Sequence, residues 1–460
     1  MSRFRAVAAV AAVVLVAAAC SGSSPEPTPT SSASSPGVPT SPPPSSTVTP
    51  QPGAAAAFAL PPSSTGERSA AAVRTRLCVR PPAPTPSPAH AGTPPDAILE
   101  VEHEVEKVRD LDYIHPVAVD AVTHEELVAG LNLGFDHSYP RDLMARRSEV
   151  WSTIGVIADG TSLRDAYHSF LSSQVLGYYD PASKQLVFIG ADNLSPLQRV
   201  ILAHELTHAD DDQHFDLNRL NDLENACDDE GLFASLGAVE GSAQYFSHQV
   251  QARFLSLVEQ FRMALEAGAA LPGDVPPFVQ ALVTWPYIEG ERFITTLDAR
   301  GGIEAVNAAL RQFPASTEQV IHPERFPDER PVPVDVPDLG PALGPGWRDL
   351  DVMDVGEEWL REMLALKVDL SVAQEASDGW GGAQYRAWTD GSHVAVLVDS
   401  AWDSGDDADQ FLSAVRTWIG DRDDAEAGPT PDPTTTVALF ASDAGTLGLM
   451  DSVLRTGSDA

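Results

Sequence analysis

His204 and His208 stand four residues apart in Leu202-Ala203-His204-Glu205-Leu206-Thr207-His208. Residues at that spacing share one face of an α-helix, so the two imidazoles can take two corners of a tetrahedral zinc ion. Glu205 lies about 100° round the helix, by its 3.6-residue period. From there it reaches a water activated by the metal and takes its proton as general base. A near miss occurs upstream. His124-Glu125-Glu126-Leu127-Val128 has no second histidine and therefore no chelate. There Thr123 and Glu126 read as a capping box that opens an ordinary helix.

The surrounding residues support a helix under the His-Glu-His set. Ser195 is a good N-cap, and Pro196 fits the first helical position, where its missing N–H is no loss. Leu197, Val200, Ile201 and Leu202 supply an apolar face. A catalytic zinc also needs a third protein ligand, and two residues compete for the place. His214 lies ten residues after His204, the spacing of the metzincin pattern HExxHxxGxxH. That pattern turns out of the helix at a glycine three residues after the second histidine; here Asp211 stands there, and no methionine suits the accompanying Met-turn. Glu240 sits in Ala238-Val239-Glu240-Gly241-Ser242-Ala243, on a second expected helix whose small residues allow close approach. Val239, Ala243 and Phe246 put this stretch on a packed face, where a lone carboxylate would be costly. The chemistry favours Glu240.

Composition narrows the function classes. In 460 residues, 29 Lys and Arg face 66 Asp and Glu, a formal charge of −37. Such an acidic balance argues against nucleic acid and against electrostatic docking on anionic lipid. At the N-terminus Arg3 and Arg5 precede the apolar stretch 6–19, which ends in three alanines and Cys20. That is the layout of a secretory signal, too short to span a bilayer permanently. Cysteine directly after the small residues resembles the lipobox of bacterial lipoproteins. In that family the cysteine is lipidated and becomes the new N-terminus, anchoring the protein at the outer face of the cytoplasmic membrane. Removing Cys20 from the three cysteines leaves Cys78 and Cys227, and in an exported chain an even remainder suggests a disulfide between them.

Along the chain, residues 1–20 read as the signal and 21–66 as a Pro-, Ser- and Thr-rich tether unable to form a core, with a Pro-rich arm continuing to 95. Residues 96–326 read as the metal-binding domain, opening with helices at 97–108, 123–131, 144–157 and 162–176. Gly177–Pro181 and Leu186–Ile189 read as a strand pair, with Leu186–Ile189 the candidate edge for binding an extended peptide by strand addition. Residues 231–266 and 287–312 read as long helices. Residues 327–346 are rich in Pro, Asp and Gly and read as a linker or crossing loop. Residues 347–460 read as a small α+β subdomain. The fold class expected is α+β: a mainly helical, zincin-like core with a small mixed sheet and a C-terminal α+β subdomain.

His204-Glu205-Leu206-Thr207-His208-Ala209, Asp212-Gln213-His214-Phe215 and Val239-Glu240-Gly241 together resemble a group of exported bacterial zinc metallopeptidases of gluzincin type. Gly177-Tyr178-Tyr179-Asp180-Pro181 and Ser316–Glu324 fit the same group, as do Gly379-Trp380-Gly381-Gly382 and Trp402-Asp403. The resemblance spans roughly residues 98–440. It implies His204, His208 and Glu240 as Zn2+ ligands and Glu205 as base. Asp210 and Asp211 depart from the group, whose sequence is usually less acidic here. Better-known gluzincins use a downstream His or Tyr as oxyanion donor, which makes His322 the first candidate and Tyr287 the second. Asp212, Gln213 and Asp229 are candidates to orient the ligand imidazoles.

Two functions are therefore expected in competition. One is a lipid-anchored peptidase outside the cytoplasm, acting on a peptide or protein substrate. The other is an inactive surface lipoprotein that uses a zincin fold as a binding or scaffolding module.

Overall fold

The computed structural model describes residues 57–80, 94–190, 193–266 and 275–456. The signal segment, Cys20 and the tether as far as residue 56 lie outside these residues. Helix α1 (Ala70–Leu77) precedes α2 (Asp96–Arg109), strand β1 (Ala118–Ala121), α3 (His124–Ser138), α4 (Arg141–Ile154) and α5 (Leu163–Gln174). Strands β2 (Gly177–Asp180) and β3 (Gln185–Phe188) lead into α6 (Pro196–Phe215), the helix of the two histidines. The helical half continues with α7 (Leu220–Ala226), α8 (Asp229–Phe254), α9 (Leu257–Glu266), α10 (Pro277–Gly301), α11 (Ile303–Arg311) and α12 (Thr317–Ile321). After α13 (Gly340–Leu343) come β4 (Arg348–Asp354), α14 (Glu357–Ala365), α15 (Leu370–Ser377), β5 (Trp380–Thr389) and β6 (Val394–Trp402). The chain ends with α16 (Gly405–Ile419), β7 (Ala425–Pro429), β8 (Thr435–Ala441) and α17 (Ala444–Thr456). The fold is α+β. A small sheet of order β1-β3-β2 lies beside α6, and an antiparallel sheet of order β4-β5-β6-β8-β7 forms the C-terminal half. No helix among the described residues is long and apolar enough to cross a membrane.

Local chemistry explains the starts of the helices that matter. Ser195 caps α6 by accepting from Gln198 N–H while Gln198 reaches back, and Pro196 occupies the first turn. Thr123 and Glu126 form the same reciprocal cap on α3. That helix runs past Leu131 to Ser138 and packs closely at a small residue: a Cβ at Gly130 would sit 2.8 Å from the Tyr178 hydroxyl. Helix α6 carries no solvent face over its middle; residues 200–212 are all buried.

Residues 327–346 do not separate two bodies. Val332 N–H donates to Gly381 O at 2.7 Å, and Val336 and Leu339 are fully buried against the second sheet. One apolar cluster runs from Met144 and Trp151 on α4 through Trp359 on α14 to Trp380, Trp418 and Phe440. The two halves share this core. Part of the arm expected to be free is also packed. Phe58 is fully buried beside Gly428, with its N–H on Pro429 O, and α1 lies on β4. The physical reason is the same in both places: a few large apolar side chains anchor a polar, Pro-rich segment once a sheet face is available to cover.

Cys78 and Cys227 are joined in a disulfide that closes 149 residues of sequence. It ties the arm to the turn between α7 and α8. The double substitution Cys78→Ser/Cys227→Ser is expected to cost about 2–4 kcal/mol, mainly by freeing the unfolded chain. Equal denaturation midpoints for the two proteins without reductant would refute that.

Candidate metal centre

Helices α6 and α8 bring three side chains to one point. His204 Nε2 lies 3.1 Å from Glu240 Oε2, His208 Nε2 lies 3.4 Å from the same oxygen, and the two Nε2 atoms are 3.1 Å apart. Three ligands about 2.0–2.1 Å from a tetrahedral zinc stand roughly 3.3 Å from one another. The observed spacings have that size. Both histidines are fully buried and Glu240 is nearly so. Burial pulls His204 down to about 4, against the pull of Glu240. Burial also raises Glu240, but His208 and His204 outweigh it and hold the carboxylate down to about 2. At neutral pH His204 is therefore neutral and Glu240 ionised. A buried anion facing lone pairs fits a divalent cation well.

Close approach of α8 to α10 sets the position of Glu240. A Cβ at Gly241 would lie 2.2 Å from the carbonyl carbon of Gly290, and one at Gly290 would lie 2.1 Å from Gly237 O. Tyr287, one turn before Gly290, stacks on His204 with ring centroids 5.9 Å apart. The Nδ1 atoms of His204 and His208 have no hydrogen-bond partner among the described residues. Packing, with the Tyr287 ring on His204, orients the imidazoles instead. Asp212, Gln213 and Asp229 do not touch them. Asp212 accepts from Tyr179, Lys184 and the backbone of Leu217, Gln213 pairs with the backbone of His115, and Asp229 holds Arg147.

Glu205 is fully buried beside the triad. Its Oε2 accepts from Tyr179 N–H at 2.8 Å, and its Oε1 has no hydrogen-bond partner among the described residues. Burial first, and the Glu240 carboxylate second, push it well above the ordinary carboxylate range. The role of Tyr179 was not legible in the sequence. Strand β2 is an edge of the small sheet and presents its outward N–H to α6, a contact between residues 26 apart that no local pattern signals.

One expectation is corrected, and the two other histidine candidates are placed. The Leu186–Ile189 strand is not an edge: β3 is central, parallel to β1 on one side and antiparallel to β2 on the other, so it has no free ladder for a peptide. Strand β1, paired from 67 residues upstream (Ala118 with Gln185), makes the difference. His214 is not brought to the triad. Asp211 does not turn the chain, α6 continues to Phe215, and His214 lies roughly 240° round from His208, where it meets Asp112 O and Asp210. His322 pairs with Glu357 at 3.2 Å and Asp378 at 3.5 Å, joining α12 to the start of α14.

The acidic run after His208 is structural. Asp211 accepts from Arg109 Nε at 2.8 Å and from the Ser242 hydroxyl at 2.7 Å, tying α6 to α2 and α8. Arg109, also fully buried, lies against the rings of Phe246 and Phe215. Asp210 is buried with Oδ1 3.4 Å from His214 Nε2, and burial together with Asp211 pushes it up to about 8.

Glu240 and Tyr287 also line a cavity of about 270 Å³ that extends between α3, α4, α5, α8 and α10. Among proteins of known family, residues 348–447 match the family described as "Domain of unknown function (DUF8575)". That segment is the second sheet and its helices, not the metal centre. No curated protein matches the chain, and no solved structure does.

Proposed function

We propose that this chain is an exported zinc-dependent peptidase with a gluzincin-like centre. The observation that carries the reading is the convergence of His204 Nε2, His208 Nε2 and Glu240 Oε2 at tetrahedral spacing, with Glu205 buried alongside. A zinc ion held by those three residues would supply Lewis-acid polarisation and bring the pKa of a water molecule near 7. Glu205 receives the proton on Oε1, since Oε2 is engaged by Tyr179 N–H and the carboxylate is thereby fixed in orientation. The same oxygen then returns the proton to the departing amine. Tyr287, which borders both His204 and the cavity, replaces His322 as the candidate donor to the oxyanion. Export is supported by the 1–20 signal pattern and by the Cys78–Cys227 bond, which persists in oxidising compartments. Lipidation at Cys20 and residence at the outer face of the cytoplasmic membrane belong to the same proposal.

Zinc content tests the ligand set. One zinc per chain is expected in the wild type and in His214→Ala, and its loss in Glu240→Ala. Loss in His214→Ala with retention in Glu240→Ala would overturn the assignment. A zinc-free wild type would leave the binding-module reading in its place.

A further inference from the structure

The cavity beside the triad has a chemistry of its own, and it bears on what the site accepts. Phe135 stacks with Tyr139 and Tyr167 at centroid distances of 5.1 and 5.0 Å, forming one flat wall. Trp151 and Trp359 form another, edge to face at 5.9 Å. All five line the space, and Glu240 and Tyr287 bound it at the metal end. At about 270 Å³ it lies at the low end of ligand pockets, which run from roughly 300 to 1,000 Å³. That is room for one large side chain with adjoining main chain.

Charge limits the occupant further, because it is one-sided. Glu224, Asp229, Glu230 and Asp354 join Glu240 in the lining. Arg147, the one cation among the lining residues, is already held by both oxygens of Asp229 and by Asp351. An acidic group entering this space would find no free cation.

We infer that this cavity is the specificity pocket of the site: it takes a bulky apolar side chain, aromatic or long aliphatic, carried by a peptide, and rejects acidic ones. The inference takes its peptide carrier from the peptidase reading; recognition of the side chain itself needs no metal.

The test is therefore binding to chelator-treated, zinc-free protein. Blocked tripeptides Ac-Ala-X-Ala-NH2, with X as Phe, Leu, Ala or Glu, are titrated by calorimetry or ligand-observed NMR. Phe and Leu are expected to bind at least tenfold more tightly than Ala, since a buried side chain of that size gains well over one power of ten. Glu is expected to bind no better than Ala. Leu236→Trp and Val283→Trp, which fill the lining from α8 and α10, are each expected to remove the gain. Two positions guard against one variant failing to fold. Equal affinities across the series, a preference for Glu, or an undiminished gain in both folded variants would each overturn the inference. Zinc-loaded protein is then scored separately for cleavage. Apolar-selective binding without cleavage would sustain the pocket and remove the peptidase reading. Chelator-sensitive cleavage without apolar preference would do the reverse.

Discussion

Glu205→Gln should reduce peptide hydrolysis by about 10²–10⁴-fold, the range that a positioned general base supplies, while one zinc per chain stays bound. The side chains have nearly the same shape. Glutamine can still accept the Tyr179 N–H through its carbonyl oxygen, so the local packing that now holds Glu205 Oε2 is preserved. It cannot take a proton on the other atom. Glu205 is also outside the ligand set, so the triad formed by His204, His208 and Glu240 is untouched. The expected pattern is a fall in kcat with KM little changed, because ground-state binding depends on the cavity rather than on the base. Full activity in this variant would eliminate the mechanism. Joint loss of zinc and activity would instead mean that Glu205 holds the site together.

Gly290→Ala should damage stability and the metal centre together. The added Cβ would lie 2.1 Å from Gly237 O and 3.0 Å from Gly241 Cα, and main-chain atoms cannot swing aside. Helices α8 and α10 must therefore move apart. Overpacking of this kind costs about 1–3 kcal/mol and occasionally more, and a clash between backbones belongs at the upper end. The displacement also falls on function. Glu240 is adjacent to Gly241, and Tyr287 lies one turn from Gly290, so both sides of the triad shift together. A lower denaturation midpoint and zinc lost on dialysis are expected together. Gly448→Ala is the control: it lies in α17 with nothing within 4 Å of its added Cβ, and should be neutral or stabilising by up to about 1 kcal/mol. A Gly290→Ala protein as stable and as zinc-replete as the wild type would mean that the helices do not meet as described.

The parts of the site legible in the sequence are those with local rules. The i, i+4 histidines, the Ser195 cap and the proline after it are all read within one helix, and they hold. Glu240 was legible for a different reason: small residues around a carboxylate announce a helix contact, and Gly241 makes one. What escaped depended on partners far along the chain. Asp210 and Asp211 read only as a departure from the family pattern and Asp212 as a partner for the ligand imidazoles, yet Asp211 and Asp212 find Arg109 on α2, Ser242 on α8, Tyr179 on β2 and Lys184 in the turn after it. The edge of the small sheet could not be chosen without knowing that Ala118–Ala121, a short and weakly apolar stretch, pairs with β3. Strand β7 carries no sequence signal, because Ala425–Pro429 has no β-branched residue and takes its place by pairing with β8. His322 stood out by its neighbourhood in sequence, and its geometry is that of a clasp between α12 and α14.

The core shared by the two halves limits how this protein can be divided. A cut before β4 would expose Met353, Trp359 and Trp380 on one fragment and Met144, Trp151 and Phe278 on the other, faces that now cover each other. Neither fragment would be a module that could be expressed alone, grafted elsewhere or exchanged by recombination without a replacement surface. The matched segment 348–447 is thus a sequence unit without being a building block. Its Met353, Gly356 and Trp359 form part of the wall of the metal half's cavity, so drift in one half is felt as altered shape in the other.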